Sequence, residues 1–476
     1  MQSNRIVYLV IGYMLAGLAI GMVPPFILDL ISGQPEARGF LVSAGLTAFV
    51  AVALILTNRG SQDSLTTRQA FLLISWSWVV FTLFAALPFI LAGQQMDVTN
   101  AFFEAMSGLT TTGATVMTGL DDSPPGILLW RGQLQWFGGI GIIVMAISVL
   151  PLLNVGGMQL FRAETGDTSD KILPRTQQIT GSIFRVYVLL TLACAGFYWI
   201  AGMSLFDALV HSMTTVATGG FSSHDASFGY FDSVSINMIA SFFMIIAALP
   251  FVNLLGFVNG RRHLLTQDSQ TRAFLAIIIV CIILIMIFTP PAVDFSQVVF
   301  NVASIITGTG YSTTDYDNWG AMAITLFLAL TLLGGCAGST SCGLKIFRLQ
   351  VAVISAWRYL RQLSAPHAVF VARYNRRLLP DSIAQAVIAF TLIYFFSFAV
   401  VAMILTLLGL DMITAISAAA SCIANVGPGL GPEIGPAGNF SNLSPTVKWV
   451  LSGAMLLGRL EFLSVLVTLT PSFWRR

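Results

Sequence analysis

Leu109-Thr110-Thr111-Thr112-Gly113-Ala114-Thr115 is an uncharged run of hydroxyls and glycine set between a short amphipathic stretch and a long apolar one. Thr218-Gly219-Gly220-Phe221, Thr309-Gly310-Tyr311-Ser312 and Val426-Gly427-Pro428-Gly429 occupy the same setting, each after a short apolar segment and before a membrane-length one. They read as four copies of one re-entrant loop. A single Thr-x-Gly is an ordinary turn. Four in one repeating frame call for a shared structure.

Irregular backbone at membrane depth leaves amides and carbonyls that lipid cannot satisfy, so it persists only where protein buries it or where it lines a wet cavity. Glycine lets each loop take positive φ without a Cβ penalty, so that successive carbonyls can turn toward a common axis. Rings of such carbonyls replace the hydration shell of a monovalent cation.

The rest of the composition agrees with a membrane setting. Of 476 residues, 56% are hydrophobic and 9% charged, and the mean hydropathy is +0.83. A soluble globule carries about a quarter of its residues charged. The chain is therefore read as an all-α integral membrane protein, and the net charge of +2 gives no reason to expect nucleic acid as a partner. The five cysteines, Cys194, Cys281, Cys336, Cys342 and Cys422, avoid hydrophilic loops, so no disulfide is expected. Cys336 and Cys342 do not have a zinc spacing and read as small residues packed between helices.

Two apolar segments, 6–30 and 39–56, form an N-terminal two-helix hairpin. A pattern of long helix, short pore helix, filter loop and long closing helix then follows four times, giving about ten spanning helices with pseudo-fourfold order. The outer helices are expected at 68–92, 183–202, 272–289 and 383–410, and the closing helices at 129–153, 234–258, 319–345 and 446–470. The chain divides into the hairpin (1–66), repeat 1 (67–160), repeat 2 (175–262), repeat 3 with a broken closing helix (271–350), a basic cytoplasmic link (351–380) and repeat 4 (381–476).

Asp97, Asp294 and Asp411 each stand 16 residues before a loop glycine, Gly113, Gly310 or Gly427, placed to cap the short helices. The second repeat departs, with Met203 at that distance from Gly219 and Ser204 beside it. A helix of about 13 residues is about 20 Å long, so it dips into the bilayer and stops partway. Its C-terminal end carries about half a negative charge, which favours a cation at the loop.

Basic residues set the orientation. Arg5, Arg59, Arg68, Arg162, Lys171, Arg175, Arg185, Arg261, Arg262, Arg272, Lys345, Arg348, Arg358, Arg361, Arg373, Arg376, Arg377, Arg475 and Arg476 fall on one side of a ten-span layout, against Arg38, Arg131 and Lys448 on the other. That asymmetry puts both termini in the cytoplasm and the loops in the outer half. Asp121, Asp122, Asp225, Asp232, Asp315, Asp317 and Glu433 gather in the outer links, as a solvated face or as a field that enriches cations at a mouth. The four histidines form no metal or relay cluster, and His211 reads as a packed helix residue.

Ser107-Gly108-Leu109-Thr110-Thr111-Thr112-Gly113-Ala114-Thr115-Val116, Thr218-Gly219-Gly220-Phe221-Ser222, Gly334-Gly335-Cys336-Ala337-Gly338-Ser339-Thr340 and Gly458-Arg459-Leu460-Glu461-Phe462 together resemble the TrkH branch of the Trk/Ktr/HKT superfamily of potassium transporters, over essentially the whole chain. The resemblance implies a single-chain pore, a homodimer, the bacterial inner membrane, a cytosolic nucleotide-binding partner of the TrkA type, and no cofactor beyond the transported potassium ion, for which rubidium is a surrogate. The filter residues are then Thr111, Thr112 and Gly113; Ala217, Thr218 and Gly219; Gly308, Thr309 and Gly310; and Asn425, Val426 and Gly427. Each loop keeps about one glycine where potassium channels carry a longer Thr-Val-Gly-Tyr-Gly run. Preference for potassium over sodium therefore rests on the family, and a weakly selective sodium–potassium path of the same fold is the alternative.

The third closing segment carries Gly334, Gly335, Gly338 and Gly343 among hydroxyls, a run that cannot hold a regular helix. Close helix packing through small residues is one reading. A flap across the cytoplasmic half of the pore, which the resemblance also implies, is the other, and only this closing helix is expected to be broken. Arg459 costs about 2.5–3.5 kcal/mol near a helix centre and needs a partner. Glu461, two residues on, faces elsewhere. Arg459 is expected beneath the loops, bonded to carbonyls or hydroxyls of the 334–343 flap and opposing cations, or else held by carbonyls for structure alone. The basic link suits either anionic membrane lipids or the regulatory partner. An enzyme would need paired carboxylates, a zinc cluster or a nucleophile with a base, and the closing helices offer only Arg459 and Glu461. The sequence favours neither channel-like passage nor coupled symport.

Overall fold

The computed structural model describes residues 4–60, 66–92, 96–148, 172–289, 293–375 and 377–475. Arg162, Lys171, Arg376, Arg476 and residues 149–153 of the first closing segment lie outside these. The chain is an all-helical integral membrane protein. Helices α1 (Arg5–Gly21), α2 (Val23–Ile31) and α3 (Ala37–Asn58) make the N-terminal hairpin, the first arm being interrupted at Met22 ahead of Pro24 and Pro25.

The first unit comprises α4 (Thr67–Ala85), α5 (Leu87–Leu91), the pore helix α6 (Val98–Leu109) and α7 (Pro125–Ser148). The second holds α8 (Ile172–Ile200), the pore helix α9 (Leu205–Val216), α10 (Val234–Ala247) and α11 (Phe251–Val258). The third holds α12 (Ser269–Phe288), the pore helix α13 (Phe295–Ile306) and α14 (Ala321–Leu332). Then come α15 (Ile346–Ser364), a small antiparallel hairpin of β1 (Arg373–Tyr374) with β2 (Arg377–Leu378), α16 (Asp381–Leu407), the pore helix α17 (Met412–Ala424), α18 (Pro445–Arg459) and α19 (Leu463–Leu469).

All four pore helices start on a side-chain cap. Asp97 accepts from the Asn100 amide, Ser204 from Asp207, Asp294 from Ser296, and Asp411 from both Ile413 and Thr414. Each cap satisfies amides that would otherwise enter the apolar phase unpaired.

Six stretches among the described residues are long and apolar enough to cross a bilayer, seven if one bent pair is counted, where about ten were expected. The difference lies in the four closing segments: α7 is not among the six, and the other three are broken. The second bends by 103° between α10 and α11, because Pro250 supplies no amide to continue α10 and pushes the residue before it out of helical geometry. The third stops at Leu332, and the fourth breaks after Arg459, where Glu461 and Phe462 take positive φ. The expectation of one broken closing helix is thus corrected to three. The basic link is likewise built differently, as α15 continuing from the flap and then the β1–β2 hairpin, with Lys345 and Arg348 buried at its start and not displayed in solvent.

Candidate functional site: a ring of four loops

Each pore helix ends in the same way. The amides of Thr112, Gly219, Thr309 and Val426 donate back to the carbonyls of Ser107, Thr214, Ser304 and Ser421 at 2.8–3.0 Å. Thr111, Thr218, Gly308 and Asn425 take φ of 51°, 50°, 73° and 55°, and two residues later Gly113, Gly220, Gly310 and Gly427 take 86°, 81°, 83° and 110°. This fixes the register. The second loop runs one residue later than its sequence reading: Thr218, Gly219 and Gly220 match Thr111, Thr112 and Gly113, and Ala217 falls one place earlier. The apparent departure at Met203 disappears, since Ser204 stands 16 residues before Gly220 and is the observed cap.

The loops close on one another in cyclic order. A Cβ on Gly113 would lie closer than 3.0 Å to the Gly219 carbonyl oxygen, one on Gly220 to that of Thr309, one on Gly310 to that of Val426, and one on Gly427 to that of Thr112. Each glycine is therefore both in a backbone region that side chains disfavour and pressed against the peptide oxygen of the next loop. All four line one cavity of about 180 Å³, shared with Thr115, Ser222, Ser312 and Pro428.

Sequence reasoning missed the side chains that brace these loops. Nine residues before the ring glycine stand Glu104, His211 and Asn301. Glu104 accepts from the Thr115 hydroxyl at 2.9 Å and the Val116 amide at 2.9 Å. His211 Nε2 pairs with the Ser222 hydroxyl at 2.9 Å, and Asn301 Nδ2 donates to Thr313 at 2.8 Å. In the fourth unit Ser417 does this work, accepting from the Leu430 amide at 2.9 Å. Arg131, expected at the outer surface, is buried, with Nε 2.9 Å from Glu104 Oε1. Its available signal was a charge inside an apolar helix, which is a functional-site hint in a membrane chain.

Below the ring lies the segment between α14 and α15. Gly334 and Leu344 pair through backbone bonds of 3.1 and 3.2 Å with Leu344 and Leu332, folding it into a narrow loop. The loop docks on the α10–α11 break: the Cys336 amide donates to the Ala248 carbonyl at 2.9 Å, the Thr340 hydroxyl to Ala247 at 3.0 Å, and the Phe251 amide to the Gly338 carbonyl at 2.9 Å. The bend thus exposes carbonyls that the flap satisfies. Gly335 and Gly343 face neighbouring backbone closely, and Gly343 and Gly338 take φ of 71° and 74°. Ser341 and Cys342 sit just under Gly308 of the third filter loop, within 4 Å of where its Cβ would stand.

Arg459 enters from α18. Nη1 donates to the Thr340 carbonyl at 3.3 Å and lies 2.5 Å from Cys342 Sγ, and Nη2 donates to the Gly138 carbonyl at 2.8 Å. A void of about 10 Å³ beside it, lined by Ser341, Cys342 and Ile423, is on the scale of one water. Glu461 faces elsewhere, as its spacing required, and pairs with Arg348 and, at 3.6 Å, with Lys345. All three are buried.

His224, which lines the same cavity as the ring glycines, stands between Asp121 Oδ1, 2.5 Å from Nδ1, and Asp207 Oδ1, 3.3 Å from Nε2, with its ring stacked 3.5 Å from Tyr230. Burial alone would lower its pKa. The bonds to Asp207 and Asp121 outweigh burial and hold it above the ordinary histidine value. The His224 pair, the largest influence on Asp121, holds that carboxyl below its usual range. The five cysteines are free and buried.

The family model TrkH, described as a cation transport protein, matches residues 38–476. The chain is 46% identical to the Trk system potassium uptake protein TrkI of Halomonas elongata, over 96% of this chain and 94% of that one. It is 37% identical to the Trk system potassium uptake protein TrkH of Escherichia coli K12, over 99% of each. The crystal structure of the potassium transporter TrkH from Vibrio parahaemolyticus superposes with a TM-score of 0.91 at 37% identity, covering 100% of both chains. This chain, a multi-pass membrane protein and not an enzyme, belongs to the TrkH family of cation transport proteins.

Proposed function

We propose that the chain takes up potassium across the bacterial inner membrane, with both termini in the cytoplasm. The ion sheds water at the carbonyls of Thr111–Gly113, Thr218–Gly220, Gly308–Gly310 and Asn425–Gly427. Passage below them is gated by the 334–343 flap and Arg459. The observation that carries this reading is the cyclic seating of Gly113, Gly220, Gly310 and Gly427 against the peptide oxygens of the next loop. Such a ring brings four oxygens together without a carboxylate, the ligand set that suits a large monovalent cation. Relatives named as potassium uptake proteins support the choice of ion.

Arg459 adds a fixed positive charge beside the flap, and the Lys345, Arg348 and Glu461 group adds a further net positive charge on the cytoplasmic side. A closed flap with cations behind it opposes passage. A cytosolic nucleotide-binding protein of the TrkA type acts on this gate through α15, which follows the flap directly and leads to the exposed Arg361, Arg373 and Arg377. The working unit is a homodimer among membrane lipids.

The weakly selective sodium–potassium reading is favoured by one observation: each loop has a single ring glycine, so few carbonyl layers exist to discriminate. Radioactive rubidium uptake into liposomes, with potassium, sodium and lithium as competitors, decides between them. Competition by potassium far below the sodium concentration needed supports the first reading. Equal competition supports the second, and no uptake of any alkali ion ends both.

A further inference from the structure

Helix α7 crosses the membrane as an apolar segment, yet two polar side chains one turn apart, Arg131 and Gln135, are 1% and 0% exposed. Residues four apart share a helix face, and this face meets the filter loop of the second unit. Gln135 Nε2 donates to the Gly219 carbonyl at 2.6 Å, and the Phe221 amide donates to Gln135 Oε1 at 3.0 Å. One amide thus brackets Gly220, the ring glycine between them. Arg131 completes the hold. Nη1 donates to the Ser222 carbonyl at 2.6 Å, the guanidinium stacks 4.1 Å from the Phe221 ring, and Nη2 donates to Thr115 at 3.2 Å.

The consequence is an inequality among the ring oxygens. Among the described residues, no side chain donates to the Thr112, Thr309 or Val426 carbonyl. Gly219 alone carries a donor. A carbonyl oxygen has two lone pairs, and a donor on one fixes its direction and weakens its field on the other. Selectivity among alkali ions depends on the number and field strength of the oxygens offered. A weaker, immobile oxygen suits the larger, less strongly hydrated ion.

We propose that Gln135 is a specificity-determining positioning residue: it aims and weakens the Gly219 oxygen, making the ring three free carbonyls plus one restrained. This rests on the loops being the filter. The test is rubidium uptake by the full chain in liposomes, read as the ratio of the sodium inhibition constant to the apparent KM for rubidium. Gln135→Met keeps the volume and removes both bonds. It is expected to lower that ratio about tenfold, the equivalent of one hydrogen bond of about 1.4 kcal/mol. An unchanged ratio overturns the assignment, and so does a fall in Vmax alone, which is what a purely structural role gives.

Should Gln135→Met not accumulate, Gln135→Leu, which likewise removes both bonds without adding a charge, takes its place; a ratio unchanged there overturns the proposal equally. Gly113→Ala, measured in parallel for total rubidium uptake, separates the two levels. If it leaves uptake untouched, the filter reading has failed. If it abolishes uptake while Gln135→Met leaves the ratio unchanged, only the role of Gln135 has failed.

Discussion

The Arg459 guanidinium donates to the Gly138 carbonyl, 2.8 Å away, at the place where α7 passes the end of the first pore helix. The same side chain holds Thr340 of the flap, so one residue of the fourth unit ties the flap of the third to the closing helix of the first. Arg459→Ala removes both bonds and the charge. Rubidium flux per protein in liposomes is expected to rise about tenfold, a barrier change of about 1.4 kcal/mol, with the apparent KM unchanged because the filter is untouched.

Ring glycines leave no room for a methyl group. At Gly310, φ is 83° and a Cβ would collide with the Val426 oxygen. Left-handed backbone alone costs a non-glycine residue about 1–2 kcal/mol. Gly310→Ala is expected to reduce rubidium uptake by at least about a hundredfold through the added overlap, and uptake normalised to membrane protein level checks it.

Glu461 balances two buried cations. Glu461→Gln removes the buried carboxylate that faces Lys345 and Arg348 and is expected to cost about 3–5 kcal/mol, seen as a lower melting temperature of the purified protein. The contrast is Arg358, whose partner Asp381 lies 2.6 Å away with 70% of its side chain exposed. Asp381→Asn there is expected to change stability by less than about 1 kcal/mol.

The contact of His224 with Asp121 and Asp207 titrates. His224 has its pKa raised above 6.5, so its contribution is complete below that value and is lost as pH rises through the elevated folded one. Thermal stability is expected to fall as pH rises above 6.5 and through the elevated folded value, and this part of the slope should vanish in His224→Gln. Asp121, held low, titrates only at the acid end.

Reversing Arg361, Arg373 and Arg377 to glutamate is expected to abolish capture of a TrkA-type protein in a pulldown while leaving rubidium flux by the isolated chain intact. Capture that survives would leave anionic head groups as the role of this surface.

Much of this was readable before any coordinates. The hydroxyl–glycine runs and their caps are local signals, and a 16-residue interval carries Asp97, Asp294 and Asp411 into one frame, with Ser204 one place off it when counted from Gly219. Choosing between Gly219 and Gly220 was not, because adjacent glycines are equally permissive and only contact with Thr309 separates them. The break in the third closing segment was legible from its glycines. The break at Glu461 and Phe462 was not: neither residue is a helix breaker, and the ion group with Arg348 that holds the turn joins positions far apart in sequence. Nor could spacing reveal that Glu104 and Arg131 would meet, 27 positions apart.

The ring also dictates when a pore can exist. Asn425 donates its side-chain amide to the Thr112 hydroxyl across 313 positions of sequence, beside the contact of Gly427 with the Thr112 oxygen. During synthesis the first loop emerges long before its last neighbour, and such distant pairings form late. Until the final quarter of the polypeptide is inserted, the first loop lacks this neighbour and the ring stays open on one side.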